Sequence, residues 1–533
     1  MYDIVLKNGQ IYEGNFKEPY ISDIGIKKDR IVKIGNIISF QAKRIIYARN
    51  KIVCPGFIDV HAHDDIQILQ DRELEPKLRQ GVTTVVNGNC GISFYPLTED
   101  KKGLLFDYVS KLFYLEGMKI NWNNYKEYCN EIEKHGVGLN VANLIGHGSL
   151  RIAVMGFEQR EPTSFEINKM KRLLLQAIED GIFGLSSGLL YPPGAYAKKD
   201  ELISLCKVIA KNNLIYSTHI RNESDKICDC IQDNIDLARE TGVSINISHL
   251  KISGKNNWGN SKKIINLIQK ERRNGLKITA DQYPYEAGNT LLIALLPQWA
   301  LSNGLNDLIN KLKTNNDIKE KIKYDIKNGI EYWDNLINAV GWENIVINSV
   351  NTRQNEYLVG RSLKEISSEW KMDYFDTLFK ILIEEKGKAS ILVFQSCQED
   401  IKTIFKSRFV MIGTDGIFLK GKPHPRLYST YPKVIKSFVK EKGYISLKEA
   451  IRKMTFLPSK VFGIQNRGQI REGNYADLIV IDFDNIKDLA TYDSPMQYPI
   501  GIETVIINGQ VVLNANKVEN NNAGKILKPK NKL

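Results

Sequence analysis

At 533 residues and 43% hydrophobic, the chain can bury a large core and divides into more than one domain. The formal net charge of +13 sits on lysines spread along the chain, which argues against a nucleic-acid-binding stripe and leaves a positive field suited to a small anionic substrate. Seven dispersed cysteines argue against a disulfide framework, no apolar run reaches the ~18 residues of a membrane span, and no signal peptide is apparent, so the expected compartment is cytoplasmic.

The first fifty residues read as short strands, Ile4 to Leu6, Ile24 to Ile26 and Ile31 to Ile34. Asn8-Gly9 and Lys27-Lys28-Asp29-Arg30 carry turn signals of the hairpin kind. The same texture returns in Ala476 to Asp482 and Val505 to Val512, so both ends are expected to build one small β-sandwich. Between them short apolar strands alternate with amphipathic stretches such as Asn168–Asp180, Asp200–Asn212 and Asp225–Thr241. Eight strands are expected to end near His63, Asn89, Gly148, Gly188, His219, His249, Tyr285 and Gly416. That count fits an α/β fold with a TIM-like (β/α)₈ barrel, whose active site lies at the carboxyl ends of the strands. An insertion at about 289–342 interrupts the alternation, and strand-like runs follow at Ile345–Val350 and Ser390–Phe394. These segments are expected to lie over the barrel mouth. The expected division is 1–54 and 465–520 for the two parts of the sandwich, 55–464 for the barrel, and 521–533 for a basic tail, expected to be flexible.

Histidine is scarce, with seven in the chain, and its placement is informative. His61 and His63, in Val60-His61-Ala62-His63-Asp64, stand two residues apart at a strand end, so their imidazoles share a face and can hold one divalent metal. His147, His219 and His249 each end another expected strand. His135, in Glu133-Lys134-His135-Gly136, reads as a structural residue at a helix C-terminus. Asp415 ends the apolar run Phe409 to Ile412, where a carboxylate can take a proton from water and pass it to a leaving nitrogen.

Pro55-Gly56-Phe57-Ile58-Asp59-Val60-His61-Ala62-His63, the two later strand-ending histidines and Gly413-Thr414-Asp415-Gly416 resemble the amidohydrolase superfamily. Gly81 to Gly91, Gly184-Leu185-Ser186-Ser187-Gly188-Leu189 with Tyr191, and Asp281-Gln282-Tyr283-Pro284-Tyr285 narrow the resemblance to the N-acyl-D-amino-acid deacylase (D-aminoacylase) family, in order from about Met1 to Leu527. The resemblance implies a tightly bound Zn2+ on Cys90, His219 and His249, with His61 and His63 completing a second, weaker metal position. It implies Asp415 as the catalytic proton carrier, and Lys251, Tyr191 and Tyr283 as partners of the substrate carboxylate. Arg221, His147, Arg151, His424 and Arg426 lie in segments similar to family motifs, with support of the ligands, lid closure and substrate contact all open to them.

Two absences bear on the branch. The stretch at the end of the expected fourth strand, Gly181 to Gly188, lacks the lysine that cyclic-amide hydrolases carboxylate, and Ser248-His249-Leu250-Lys251 lacks the glutamate of the nucleobase deaminases. The expected activity is zinc-dependent hydrolysis of an N-acyl-D-amino acid to a carboxylate and a free D-amino acid. The alternatives are another amidohydrolase, a dipeptidase or cyclic-amide hydrolase, and a non-catalytic scaffold on the same barrel. The expected partner is a small anionic N-acyl amino acid, with neither nucleic acid nor membrane; the D preference comes from the resemblance alone. The net positive charge leans toward an acidic side chain on that substrate.

Overall fold

A computed structural model describes residues 1–38, 41–110, 113, 118–419, 421–520 and 522–530. Eight parallel strands form its centre: β1 (Phe57–Asp59), β2 (Val82–Asn87), β3 (Asn140–Gly146), β4 (Gly184–Gly188), β5 (Ile215–His219), β6 (Ser244–Ile247), β7 (Ile278–Gln282) and β8 (Val410–Ile412). Each pairs with its neighbour in sequence order. The circle closes just past the strand ends, where Ala62 bridges Gly416 in parallel and Asp415 N–H donates to the His61 carbonyl at 2.8 Å. The molecule is therefore a (β/α)₈ barrel. Its strands are almost wholly buried because helices cover one face and packed side chains fill the other. Ile58, Val86, Leu144, Phe183 and Met411 pack with Phe462 and Ile464 in one such cluster.

The outer helices fall where hydrophobic periodicity places them. Ser164–Asp180 opens with a capping box, Thr163 Oγ1 accepting from Glu166 N–H while the Glu166 carboxylate returns to Thr163 N–H. Lys199–Lys211 and Ile227–Thr241 follow. His135 is the last residue of helix Tyr125–His135 and packs its ring nitrogen on the Glu131 carbonyl, capped by Gly136.

Both β-rich ends enter one nine-stranded sheet, in which Ile52–Pro55 pairs antiparallel with Leu478–Ile481. They share a core of residues such as Leu6, Ile24, Val53, Leu478 and Ile506. Asn8-Gly9 does not make the expected turn. The strand Tyr2–Ile11 runs through it with a bulge, Asn8 adopting φ 57°. Glycine is required next, since a Cβ at Gly9 would stand 2.5 Å from the Val53 methyl. Lys28-Asp29 does form the turn between Tyr20–Lys27 and Arg30–Gly35.

The insertion is longer than the sequence suggests. Ala287–Leu291, Ile345–Ser349 and Ser390–Phe394 form one antiparallel sheet, with helices Leu305–Thr314, Asn316–Asn328, Leu363–Trp370 and Tyr374–Glu384 between its strands. The unit has its own core around Leu308, Ile347, Leu363 and Phe379. The runs at 345–350 and 390–394 belong to it because they pair with the strand that follows Tyr285, a contact local pattern cannot reveal. The first residues of the expected flexible tail are ordered on the barrel: Lys525 and Leu527 bond the Val141 backbone at 2.9 and 2.7 Å. Asn521 and residues 531–533 of that segment lie outside the described residues. Among the described residues no helix is long and apolar enough to cross a membrane.

Candidate metal centre and active site

Three of the residues expected to carry the chemistry sit on strained backbone. Cys90, His249 and Asp415 have φ of 51°, 35° and 50°. They lie two or three residues past the ends of β2, β6 and β8. A left-handed conformation costs a non-glycine residue about 1–2 kcal/mol. Each turn aims its side chain back over the barrel axis, a direction that a continuing strand would forbid. The Cys90 loop also leans on β4, where a Cβ at Gly188 would stand 2.1 Å from the Cys90 carbonyl oxygen.

The result is a compact donor set. His61, His63 and Cys90 form one group, Cys90, His219 and His249 a second, and His61, His249 and Asp415 a third, the ligand atoms of each lying within 4.8 Å of one another. Cys90 Sγ lies 3.3 Å from His61 Nε2 and 3.5 Å from His249 Nε2, and His249 Nε2 lies 3.0 Å from His219 Nδ1. A thiolate and two imidazoles make a borderline-soft donor set suited to zinc with a position left open. Cys90 belongs to two groups, so its sulfur can bridge two ions. All five expected ligands are buried.

Electrostatics favour the thiolate of Cys90 and the ionised carboxylate of Asp415. Burial pushes the Cys90 thiol up, but the imidazoles of His61 and His249 outweigh it and hold the group well below its usual value. Burial likewise raises the Asp415 carboxyl, and Arg426 and His61 overcome it, leaving the group well below the carboxylate range. Asp415 Oδ2 pairs with Arg426 Nη1 at 2.8 Å, while Oδ1 faces His63 Nε2 at 3.2 Å and His61 Nε2 at 3.5 Å.

Carboxylates behind the histidines set their orientation. Asp281, the last residue but one of β7, meets His61 Nδ1 at 3.1 Å and accepts from His249 N–H at 2.8 Å, which turns His61 Nε2 toward the centre. Glu223 lies 3.0 Å from His249 Nδ1 and 4.0 Å from His219 Nε2. Its own carboxyl, which burial alone would raise, is held down by Lys251 and His249. Sequence reasoning passed over both. Asp281 heads the Asp-Gln-Tyr-Pro-Tyr motif at a strand end, and Glu223 stands four residues past His219. A carboxylate near a strand-ending histidine is the signal that could have found them.

Lys251 is at the cavity, though not by strand alternation, since β6 stops at Ile247. Its Nζ lies 2.6 and 2.7 Å from the two Glu223 oxygens and 2.8 Å from His249 Nδ1. Tyr191 and Tyr283 also line the cavity. Tyr191 O–H meets Thr290 Oγ1 at 3.1 Å, and the Tyr283 ring lies over Arg426, 4.7 Å from its guanidinium carbon.

The remaining candidates stand off the cavity wall. His147 and Arg151 both pair with the buried Glu201, the former at 2.7 Å. Arg221 donates to the Ala195 and Ala197 carbonyls and so holds the turn after Tyr191. His424 bonds the Ala287 carbonyl at 3.0 Å and accepts from Arg426 N–H at 2.9 Å, tying the end of β8's loop to the start of the insertion. Burial and the neighbouring Arg426 keep His424 neutral, well below its usual pKa.

Barrel, strand-end donors and the Asp415 carboxylate beside them together define an amidohydrolase-type site, and the amidohydrolase family profile matches residues 44–211 and 374–513. The chain belongs to that family. Among its relatives, D-aminoacylase of Alcaligenes xylosoxydans xylosoxydans is 31% identical over 99% of this chain and 97% of its own. N-acyl-D-glutamate deacylase of the same organism is 32% identical over 96% and 93%. The crystal structure of N-acyl-D-glutamate deacylase from Bordetella bronchiseptica, complexed with zinc and a phosphonate mimic of the tetrahedral intermediate, is 30% identical, covers 99% of each chain and superposes with a TM-score of 0.83.

Proposed function

We propose that the chain hydrolyses the acyl amide bond of N-acyl-D-amino acids at a zinc centre. The observation that carries this reading is the convergence of Cys90, His219 and His249 into one donor group beside Asp415. Relatives that share 97% and 93% of their length with it are named for that chemistry. Cys90, His219 and His249 would hold the tighter ion, and His61 and His63, sharing Cys90, a weaker second one. Zinc bound there supplies Lewis-acid polarisation of an amide carbonyl and acidifies water to near neutrality.

The chain's own groups do the rest. Asp415 Oδ1 faces the ligand cluster, takes the proton of the attacking water and delivers it to the amide nitrogen as the C–N bond breaks. Water's hydroxyl thus ends on the acyl carbon, and the amine leaves neutral. Arg426 fixes Oδ2 and keeps the carboxylate ionised between turnovers. Lys251, with the Tyr191 and Tyr283 hydroxyls, takes the substrate α-carboxylate. Asp281 and Glu223 hold His61 and His249 in the ligating orientation. The D preference rests on the relatives.

The test is amino-acid release from paired N-acetyl-D and N-acetyl-L substrates by the zinc-loaded protein, together with Asp415→Asn. Release from D members alone is expected, with kcat reduced about 10²–10⁴-fold in the folded, zinc-replete variant. Near-full turnover by Asp415→Asn refutes the assigned role. Release from L members, from dipeptides or from cyclic amides instead would transfer the chain to another activity of the family.

A further inference from the structure

The relatives named above differ in the side chain they act on, and near-equal identities of 31% and 32% do not choose between them. The cavity does. We propose that this site accepts N-acyl-D-amino acids with uncharged, apolar side chains and rejects those with a second carboxylate. The proposal rests on the deacylase reading above and deepens it.

The cavity lies directly over the donor groups and opens to solvent. An apolar part of its wall is built by Ile92, Phe113, Leu190, Leu336, Val393 and Ile417. Leu336 and Val393 come from the insertion, and the others from the loops after β2, β4 and β8 and from 113. Several polar atoms of the wall are engaged within the protein. Thr290 Oγ1 bonds Tyr191 O–H at 3.1 Å, and Asn289 Nδ2 donates to the Ile391 carbonyl at 2.9 Å. Gln395 Oε1 accepts from Ser253 Oγ at 3.1 Å.

Cations decide the matter. Among the described lining residues Lys251 is the one lysine or arginine. Its three donors already face two Glu223 oxygens and His249 Nδ1. It can share its charge with the α-carboxylate that every such substrate carries, and a second carboxylate on the side chain would find no further lysine or arginine among the described lining residues. Arg426 does not line the cavity and is committed to Asp415. A carboxylate carried into an apolar wall without a partner is strongly disfavoured. The global charge of +13 leans toward an acidic side chain, yet the lysines that make it lie elsewhere. Lining, within a few ångströms, outweighs a field screened over about 8 Å.

The experiment compares kcat/KM of the zinc-loaded wild-type protein on N-acetyl-D-leucine and N-acetyl-D-methionine with that on N-acetyl-D-glutamate and N-acetyl-D-aspartate. Leu190→Lys, which places an ammonium on the apolar wall, is measured beside it. Preference for leucine and methionine by at least about a hundredfold is expected, with the ratio falling at least tenfold in a folded Leu190→Lys. Glutamate or aspartate cleaved as well as or better than leucine overturns the inference and leaves the deacylase reading intact. No release from any of the four, with zinc bound and the protein folded, overturns both. Should Leu190→Lys not fold, the wild-type ratios still decide.

Discussion

Replacing Lys77 with methionine should weaken the barrel at its closure and disturb Asp415 together. Lys77 is fully buried on the short helix Glu75–Leu78. Its Nζ lies 2.6 Å from Asp59 Oδ2, 2.6 Å from Thr414 Oγ1 and 3.5 Å from Asp64 Oδ2. Asp59 in turn accepts from Thr414 N–H at 2.8 Å and from its hydroxyl at 2.6 Å, so the cluster staples the end of β1 to the residues after β8. Methionine keeps the length and removes the charge, leaving two buried carboxylates without their cation. Removing one partner of a buried pair costs about 3–5 kcal/mol. An unfolding entropy near 2.1 cal/mol/K per residue, over 533 residues, is about 1.1 kcal/mol/K, so Tm should fall by about 3–5 °C. Thr414 adjoins Asp415, and a displacement of about 1 Å there can cost about 10²-fold in turnover. Thermal unfolding, kcat and zinc content of the loaded variant are the readouts. The double variant Asp59→Asn with Lys77→Met should recover part of the lost stability, because one of the two uncompensated carboxylates is gone. A Tm within 1 °C of wild type, with kcat unchanged, would refute this account of the seam.

Cys90→Ser should lose zinc to a mild chelator at concentrations that leave the wild type loaded, since serine stays protonated and cannot join both donor groups; equal retention would place the metal elsewhere. Asp334→Ala should free the loop that carries Glu223, because Asp334 accepts from Glu223 N–H at 2.8 Å and from Ser224 Oγ. Hydrogen exchange over 222–225 should quicken and kcat/KM fall about tenfold through Glu223's hold on His249 and Lys251, and unchanged exchange would refute the link. Lys453 gives a pH signature: burial pushes its ammonium down to about 7, and it donates to the Ser407 and Val410 carbonyls. Below pH 7 both folded and unfolded chains hold the proton and the burial cost is felt in full. From there to about 10.4 only the unfolded chain holds it, so stability rises with pH by at most about 1.4 kcal/mol per unit. Urea unfolding at pH 7 and 9 should show the wild type gaining on Lys453→Met, whereas a constant difference would sink the assignment.

Much of this site was legible because histidine is scarce and its positions coincide with the ends of apolar runs. His61, His63, His219 and His249 could be gathered before any coordinates, and Asp415 by its place after the last strand. The support behind them was not. Asp281 lies 32 residues from the His249 amide it holds, and Lys77 lies 337 from Thr414. Neither separation leaves a periodic trace. Local pattern also misplaced Asn8-Gly9, whose turn chemistry serves a bulge equally well, and ended the insertion early because its sheet is completed by strands some fifty and a hundred residues on. Lys251 reaches the cavity past the left-handed turn at His249 rather than along an extended strand.

The nine-stranded sheet imposes a schedule on the ribosome. Pro55 leaves the tunnel 423 residues before Leu478, its partner across the sheet (478 minus 55). At about 5–20 residues per second, the amino-terminal strands wait roughly 20–85 s with one edge bare. Nor can the barrel close until its eighth strand emerges at Val410. The nascent protein thus carries an open sheet edge and an unsealed cylinder through most of its synthesis, both templates for pairing with another chain. Chaperone demand in the cell, and aggregation of shortened forms during expression, are set by that interval rather than by the stability of the finished molecule.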